Sequence, residues 1–449
     1  MGNARMFVMV AGSAIAFSGA AAMAQQSADE VRAMVAETLA DAESRSSLLA
    51  GGDAGHDTKF FVAGDGFRLN INGLTQLRYV ADIRNTSGVG STGDDFTHGF
   101  QIARTMVDFN GELDKDWFFR IRAAQYGYRT NNSSTSFGNF GNTALGFDYM
   151  YFGYKFSNGW KITAGQFKTP LIREELVSEL NQIGVDRSIV NSTFSGTFTE
   201  GVMATYEASN WRAFFSLNDG LNTAQTDFNG PNEAVSGIAK VKNEAEYAIT
   251  ARGEYIIKGD FKKFEDFTSP RGADFACMLG AAVNWQQSPN TNNAADVDSD
   301  TLRYTVDCSL KGDGWNAYAA FCGDHTTQRV AGNDNPDQDT FGAIVQGGFR
   351  ITEDTEIYAQ WTAIFADADV IRSVSGATGS STKNFNFATL GVTHFFAGHA
   401  LQAQIEALYS FQNTANMVAL GNLPNTGPAI LGETKAGEVM LRLQFNIAF

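Results

Sequence analysis

The chain has 449 residues, 49 acidic and 33 basic, with a formal charge of -16. That balance argues against nucleic acid as a partner, because phosphates call for a basic patch. Gly (46) and Phe (36) are abundant and Pro (7) is scarce, which suits strands and turns, and beyond the N-terminus no apolar run is long enough for a membrane helix.

Residues 1–24 read as a secretory signal peptide. Arg5 gives a basic start, Met6 to Ala22 are apolar or small, and Ala22-Met23-Ala24 is a small-x-small site, so cleavage is expected after Ala24. Residues 25–52 read as a short periplasmic helix. Ser27-Ala28-Asp29-Glu30 is a capping box, Val31, Met34, Val35, Thr38, Leu39 and Ala42 follow at helical spacing, and Gly51-Gly52 ends the run. About 22 residues make a helix of roughly 33 Å. Alone in water it is marginal, so a partner is expected. A short coiled coil and a contact with peptidoglycan are both open. Residues 53–66 read as a linker.

From Phe67 onward the pattern has period 2. Phe67, Leu69, Ile71, Leu77 and Tyr79 share one face, and Arg68, Asn70, Asn72, Gln76 and Arg78 share the other. Strands usually run about 5–6 residues, whereas a tilted membrane-crossing strand needs about 9–11. The runs here have the second length. They predict about 16 antiparallel strands, at 67–83, 98–113, 116–129, 144–156, 159–168, 198–208, 210–218, 245–257, 273–286, 300–310, 314–326, 340–350, 354–366, 383–395, 400–412 and 435–449. Alternation is imperfect in those starting at 98, 159, 198 and 383.

Short connections such as 114–115, 158–159, 209–210, 311–314 and 397–399 alternate with long polar ones such as 84–97, 130–143, 169–197 and 219–244. One connection, 258–272, is long where a short turn is due. Short turns at one rim and long loops at the other describe an all-β transmembrane barrel of the outer membrane, residues 67–449. An even strand count leaves both chain ends at the short-turn rim. The last run is the sharpest: Val439, Leu441, Leu443, Phe445, Ile447 and Phe449 alternate with Glu438, Met440, Arg442, Gln444 and Asn446. Outer-membrane barrels typically end on such an aromatic residue. Leu441, Leu443, Phe445, Ile447 and Phe449 are therefore expected to be the signal read by the barrel assembly machinery.

Cys277, Cys308 and Cys322 are an odd set for a disulfide framework. Cys277 and Cys308 flank a loop centred near 292, so a hairpin pairing stays open. The plainer expectation is small apolar residues facing lipid.

Gly165-Gln166-Phe167-Lys168-Thr169-Pro170-Leu171 followed by Glu174-Glu175-Leu176 resembles the strand-plus-loop signature of the phosphate-selective porin family of O/P type. Asp186-Arg187-Ser188 resembles that family's acidic-Arg-Ser step, and Phe100 to Asp108 its early strands. The resemblance implies a trimeric sixteen-stranded barrel with a constricting third outer loop.

Catalytic motifs are missing. There are five histidines, no HExxH and no G-x-S-x-G, and Gly88 to Gly93 fits G-x-G-x-x-G without the helix a dinucleotide site needs. Asp296, Asp298 and Asp300 have calcium-loop spacing, but Thr301 replaces the Gly at position six, so a solvated acidic loop at the lipopolysaccharide surface is the better reading. No cofactor or metal is expected.

The third outer loop, 169–197, is the best candidate site. Its stretch 171–180 reads as a short helix with Glu174, Glu175 and Glu179 exposed. A loop of this length either caps the rim or folds into the lumen; folded in, these residues form the expected constriction with Lys168, Arg173, Asp186 and Arg187. Arg68, Arg78, Arg120 and Arg122 fall on polar strand faces, joined by Arg104, and form the expected pore wall. These arginines either face the acidic loop across the pore or pair locally with Asp82, Asp108 or Glu112. The function read from this is a passive channel for small hydrophilic solutes, with a weak cation preference from the loop glutamates. An anion or phosphate channel and a cell-wall tether are the alternatives, and outer-membrane lipid and lipopolysaccharide are the expected surroundings.

Overall fold

The computed structural model describes residues 53–56, 60–84, 96–126, 139–140, 143–221, 245, 247–288, 297–330, 333–334, 337–367, 382–415, 417, 430, 432 and 435–449. The signal segment with its Ala24 site, the helix expected within 25–52, and Gly88 to Gly93 lie outside the described residues. The stretch 53–66, read as a linker, contains the short strands Asp53–His56 and Phe60–Gly64. The barrel belongs to one compact unit, His56–Phe61 with Gly66–Phe449.

Sixteen long strands form the barrel wall. They are β1 (Phe67–Ile83), β2 (Phe96–Leu113), β3 (Trp117–Tyr126), β4 (Thr143–Lys155), β5 (Trp160–Lys168), β6 (Phe198–Glu207), β7 (Trp211–Asn218) and β8 (Tyr247–Lys258). The second half comprises β9 (Ala276–Ser288), β10 (Val297–Gly312), β11 (Trp315–Val330), β12 (Gln338–Arg350), β13 (Thr355–Ala366), β14 (Asn384–Ala397), β15 (Leu401–Ser410) and β16 (Val439–Ala448). Each pairs antiparallel with the next. The sheet closes where β16 pairs with β1, from Val439 opposite Ile83 to Ala448 opposite Leu74. Closure matters because lipid supplies no hydrogen-bond partner for a free strand edge. Among the described residues, no helix is long and apolar enough to cross a membrane.

Side-chain alternation gives the wall two unlike faces. Phe100, Phe152, Val202, Leu390 and Ile405 point out and are more than half exposed. Near the short-turn rim, outward aromatics adjoin one another: Trp117 with Tyr154, Trp160 with Tyr206, and Tyr206 with Trp211, at ring separations of 4.9–5.1 Å. This is the interfacial girdle of a membrane barrel.

Three of the four segments with imperfect alternation, β2, β5 and β14, have physical causes. On β2 the register shifts between Gln76 and Leu77, which face Arg104 and Ile102, so Ala103 is left over as a bulge. In β5, Gly165 has φ of 121° and lies so close to β4 that a Cβ would sit 2.3 Å from the Met150 carbonyl. Only glycine fits there. In β14, Phe385 and Phe387 are buried inside the barrel while Leu390 and Val392 face out, so both faces are apolar.

The cysteines are free. Cys277 lies opposite Leu310 and Cys308 opposite Leu279, so the two are out of register by two residues on the outer face. Cys322 departs from the expected lipid-facing position. It is buried in the lumen beside Thr305, 1 % exposed, packed with loop 3 residues. The acidic loop expected around Asp296 to Asp300 is in part strand, because β10 already begins at Val297 and its backbone pairs Asp298 with Arg329 and Asp300 with Thr327. Asp296 lies outside the described residues.

Candidate functional site: the loop folded into the lumen

Loop 3, residues 169–197, joins β5 to β6 and folds inside the barrel. The motif around Gly165 builds its base. Phe167 is buried, Gln166 donates to the carbonyls of Phe147 and Asp148, and the Thr169 N–H donates to the Thr197 carbonyl at 3.1 Å. The loop then forms two short α-helices, α1 (Arg173–Leu176) and α2 (Ile189–Phe194), with a 3-10 turn at Glu179–Asn181 between them. The single helix expected over 171–180 is thus broken. Ser188 caps α2 by accepting from the Asn191 N–H at 3.0 Å.

An apolar seam holds one side of the loop to the wall. Leu171, Ile172, Ile183, Val190 and Phe194 form one buried cluster with Tyr318, Ile344, Ile364, Phe385 and Met440 from the inner face of β11–β16. Fully burying an aliphatic or aromatic side chain is worth about 1.5–3 kcal/mol, so this seam is a major anchor. Its sequence signal was apolar residues at lumen-phase positions, as with Met440 among the polar partners of the last strand.

Ion pairs hold the other side. Asp186 accepts from Arg104 at 2.6 Å and from Arg78 at 3.0 Å, and these arginines also bond Gln76 and Gln444 of the wall. Glu179 meets Lys168 at 2.9 Å, Arg187 at 3.0 Å and Arg122 at 3.3 Å. Glu175 meets Lys168 at 3.2 Å and accepts from Asn191 at 2.7 Å. The three glutamates expected to be exposed are instead 1–7 % exposed. The cause is the seam, which draws the loop against the wall and leaves its acids no route to water except through the cations opposite.

The wall arginines divide. Arg78, Arg104 and Arg122 reach loop 3, whereas Arg120 pairs locally with Asp108 at 2.5 Å and stacks on Tyr149 at 3.9 Å. Arg68 donates to Asn70 and lies over Phe61. Arg173 points away from the acidic knot, donating to Ser309 Oγ at 2.8 Å and to the Phe264 carbonyl. Sequence reasoning missed Asp148, which binds Arg122 at 2.6 Å, and the Arg252–Asp307–Glu254 group, whose Arg252 also holds the Leu171 carbonyl at 3.1 Å. Charged residues in lumen phase were the available signal for all of them.

Inside the barrel, ion-paired side chains keep water access along β2–β8, and to a lesser degree at Arg303 and Asp324 on β10–β11, 16 % and 14 % exposed. Arg120 is 28 % exposed, Arg212 23 %, Lys155 38 % and Glu112 49 %. Among the described residues, no group of three or more His, Cys, Asp or Glu could hold a metal.

Burial alone raises every loop carboxyl, and the neighbours decide the outcome. Burial outweighs the Ser188 hydrogen bonds at Glu174 and pushes it up to about 7. Burial is overcome at Glu179 by Lys168, Arg122 and Arg187, and at Asp186 by Arg104 and Arg78, so both stay far below the usual carboxylate range. The signs therefore oppose. Glu174 favours the folded loop fully below its ordinary 4.5 and loses that contribution as pH rises through about 7. Glu179 and Asp186 favour it at all but strongly acid pH. Amide exchange in 171–197, corrected for intrinsic rate, is expected to be slower at about pH 5 than at about pH 8. Glu174→Gln should abolish the difference; its persistence in the variant would assign the effect elsewhere.

A closed sixteen-stranded barrel with an apolar outer band, an interfacial aromatic girdle and a charged loop folded into the lumen defines an outer-membrane porin. Residues 75–373 match the family described as phosphate-selective porin O and P, and the chain belongs to that family. Solved porins share the fold at low identity. The outer membrane channel DcaP of Acinetobacter baumannii superposes with a TM-score of 0.52 at 14% identity, covering 86% of this chain and 99% of that one. An anion-selective porin from Comamonas acidovorans gives 0.51 at 11%, covering 85% and 100%. OmpF of Salmonella typhi gives 0.51 at 12%, covering 87% and 100%. No curated protein matches the chain in sequence. The family and fold point to a passive diffusion channel of the outer membrane rather than to an enzyme.

Proposed function

We propose that the chain is a general porin, with loop 3 as its constriction and small hydrophilic solutes and ions as its cargo. It is exported by its first 24 residues, and the family resemblance supports a homotrimer. The observation that carries this reading is the neutralisation of loop 3. Asp186, Glu175 and Glu179 are each paired with wall or loop cations, so the source expected for a cation preference is consumed. The same pairs consume Arg78, Arg104 and Arg122, whereas phosphate selection calls for a lumen dense in available cations. Weak selectivity of either sign follows. In planar bilayers, the reversal potential across a potassium chloride gradient is expected to be small, and millimolar phosphate should leave the chloride current intact. Block of chloride current by millimolar phosphate would establish the anion-selective alternative instead.

A further inference from the structure

We propose that the turn between β8 and β9, residues 259–275, is a second pore-narrowing segment, which spans the short-turn mouth of the barrel and supports loop 3 from below. This rests on the reading of loop 3 as the constriction and adds a partner to it.

The starting observation is length. The other connections on this rim, such as 114–116, 208–210, 313–314 and 351–354, have two to four residues, and this one has 17. Joining two antiparallel strands needs only 2–5. The surplus is folded inward: Phe264, Phe267, Thr268 and Ser269 are at most 3 % exposed. A 3-10 turn at Phe261–Phe264, capped by Asp260 accepting from the Lys263 N–H, starts the inward course.

The segment is tied around the mouth. Ser269 donates to the Gly312 carbonyl at 2.6 Å, and the Gly314 N–H donates to the Pro270 carbonyl at 3.0 Å, which fixes it to the β10–β11 turn. Arg271 donates to the carbonyls of Arg350 and Ile351, at the β12–β13 turn. Asp266 pairs with Lys311 and lies 3.6 Å from His399 of the β14–β15 turn, whose ring nitrogen also bonds Thr268 at 3.2 Å. Three successive hairpin turns thus hold one strap.

The strap also meets loop 3 directly. The Phe267 N–H donates to the Asn181 carbonyl at 3.0 Å, and Asn181 Nδ2 donates to the Glu265 carbonyl at 3.3 Å. Arg173 reaches down to the Phe264 carbonyl, with its guanidinium 5.7 Å from the Phe264 ring and 5.5 Å from that of Phe267. Phe267 in turn packs on Tyr318 at 4.9 Å. A lumen obstructed by two segments clamped together is narrower than one obstructed by loop 3 alone, because the strap fills the space into which the loop would otherwise settle.

Two variants test this by single-channel recording. Replacing 260–274 by Asn-Gly should raise conductance roughly twofold or more, and Phe264→Ala with Phe267→Ala should raise it by a smaller factor while leaving the backbone ties in place. Heat-modifiable gel mobility reports whether each barrel is assembled. If the deletion does not assemble, the double alanine variant decides alone. Parental conductance in assembled variants overturns the inference. Recording Asp186→Asn alongside separates the two readings: if it alone changes conductance, loop 3 is the constriction without the strap, and if neither it nor the strap variants do, the constriction reading fails as well.

Discussion

Deletion of Phe449 is expected to lower the outer-membrane amount of the protein sharply, by tenfold or about 1.4 kcal/mol in effective partitioning at the least, without impairing export across the inner membrane. Two features of this residue carry the prediction. Its N–H donates to the Gly73 carbonyl at 3.1 Å and its carbonyl accepts from the Gly73 N–H at 2.9 Å, so it extends the β16–β1 ladder that closes the barrel. Its ring remains 54 % exposed on the outer surface and lies where a Gly73 Cβ would come within 2.2 Å. The backbone pair seals the seam, and the ring is available to a recognising surface. Gly73→Val adds a test of the seam alone, since it crowds the ring without removing it. Membrane fractions from cells producing each variant, compared with the parent, give the measurement. Normal membrane levels of the deletion would end the assignment of the C-terminal residues as an assembly signal.

Asp186→Asn is expected to free loop 3 from the β1–β2 wall. The carboxylate lies between two arginines that are at most 3 % exposed, and Asn removes the negative charge that both guanidinium groups share there. Removing one partner of a buried pair costs about 3–5 kcal/mol, which is enough to shift a local opening equilibrium by roughly two to four orders of magnitude. The strands are untouched, so thermal unfolding of the barrel should barely move. Single-channel recordings should show higher mean conductance with added open-state noise, and proteases should cut within 177–197. Glu179→Gln should act in the same direction but less, because it removes a carboxylate shared by Lys168, Arg187 and Arg122 while Glu175 and Asp148 still pair with them. Parental conductance and protease resistance in both variants would show that the apolar seam holds the loop without the ion pairs.

The strand pattern was legible in the sequence because burial in a membrane barrel is set by local phase. A residue on β1 or β16 faces lipid or lumen according to whether its number is odd or even along the strand, so Leu441, Leu443 and Phe445 declare the outer face without reference to the rest of the chain. The loop asymmetry and the even strand count follow from the same local pattern. The surplus length of 258–272 was also visible, although its direction was not.

The sequence by itself determined the barrel, its sixteen strands, its two faces and the position of the loop that folds inside. Only the tertiary structure decided what that loop does with its charges. Glu174, Glu175 and Glu179 read as exposed because a short helix followed in isolation turns its acids to water. Their burial depends on Arg122 and Lys168 of the wall, and on Phe385 and Met440 beyond them, which lie far apart in the chain and meet only when the sheet closes. The same closure brings Arg173 to Phe264 and Asp266 to His399. Alternation is a property of neighbours along one strand, whereas an ion pair or a seam across a lumen is a property of strands that the closed barrel sets opposite one another.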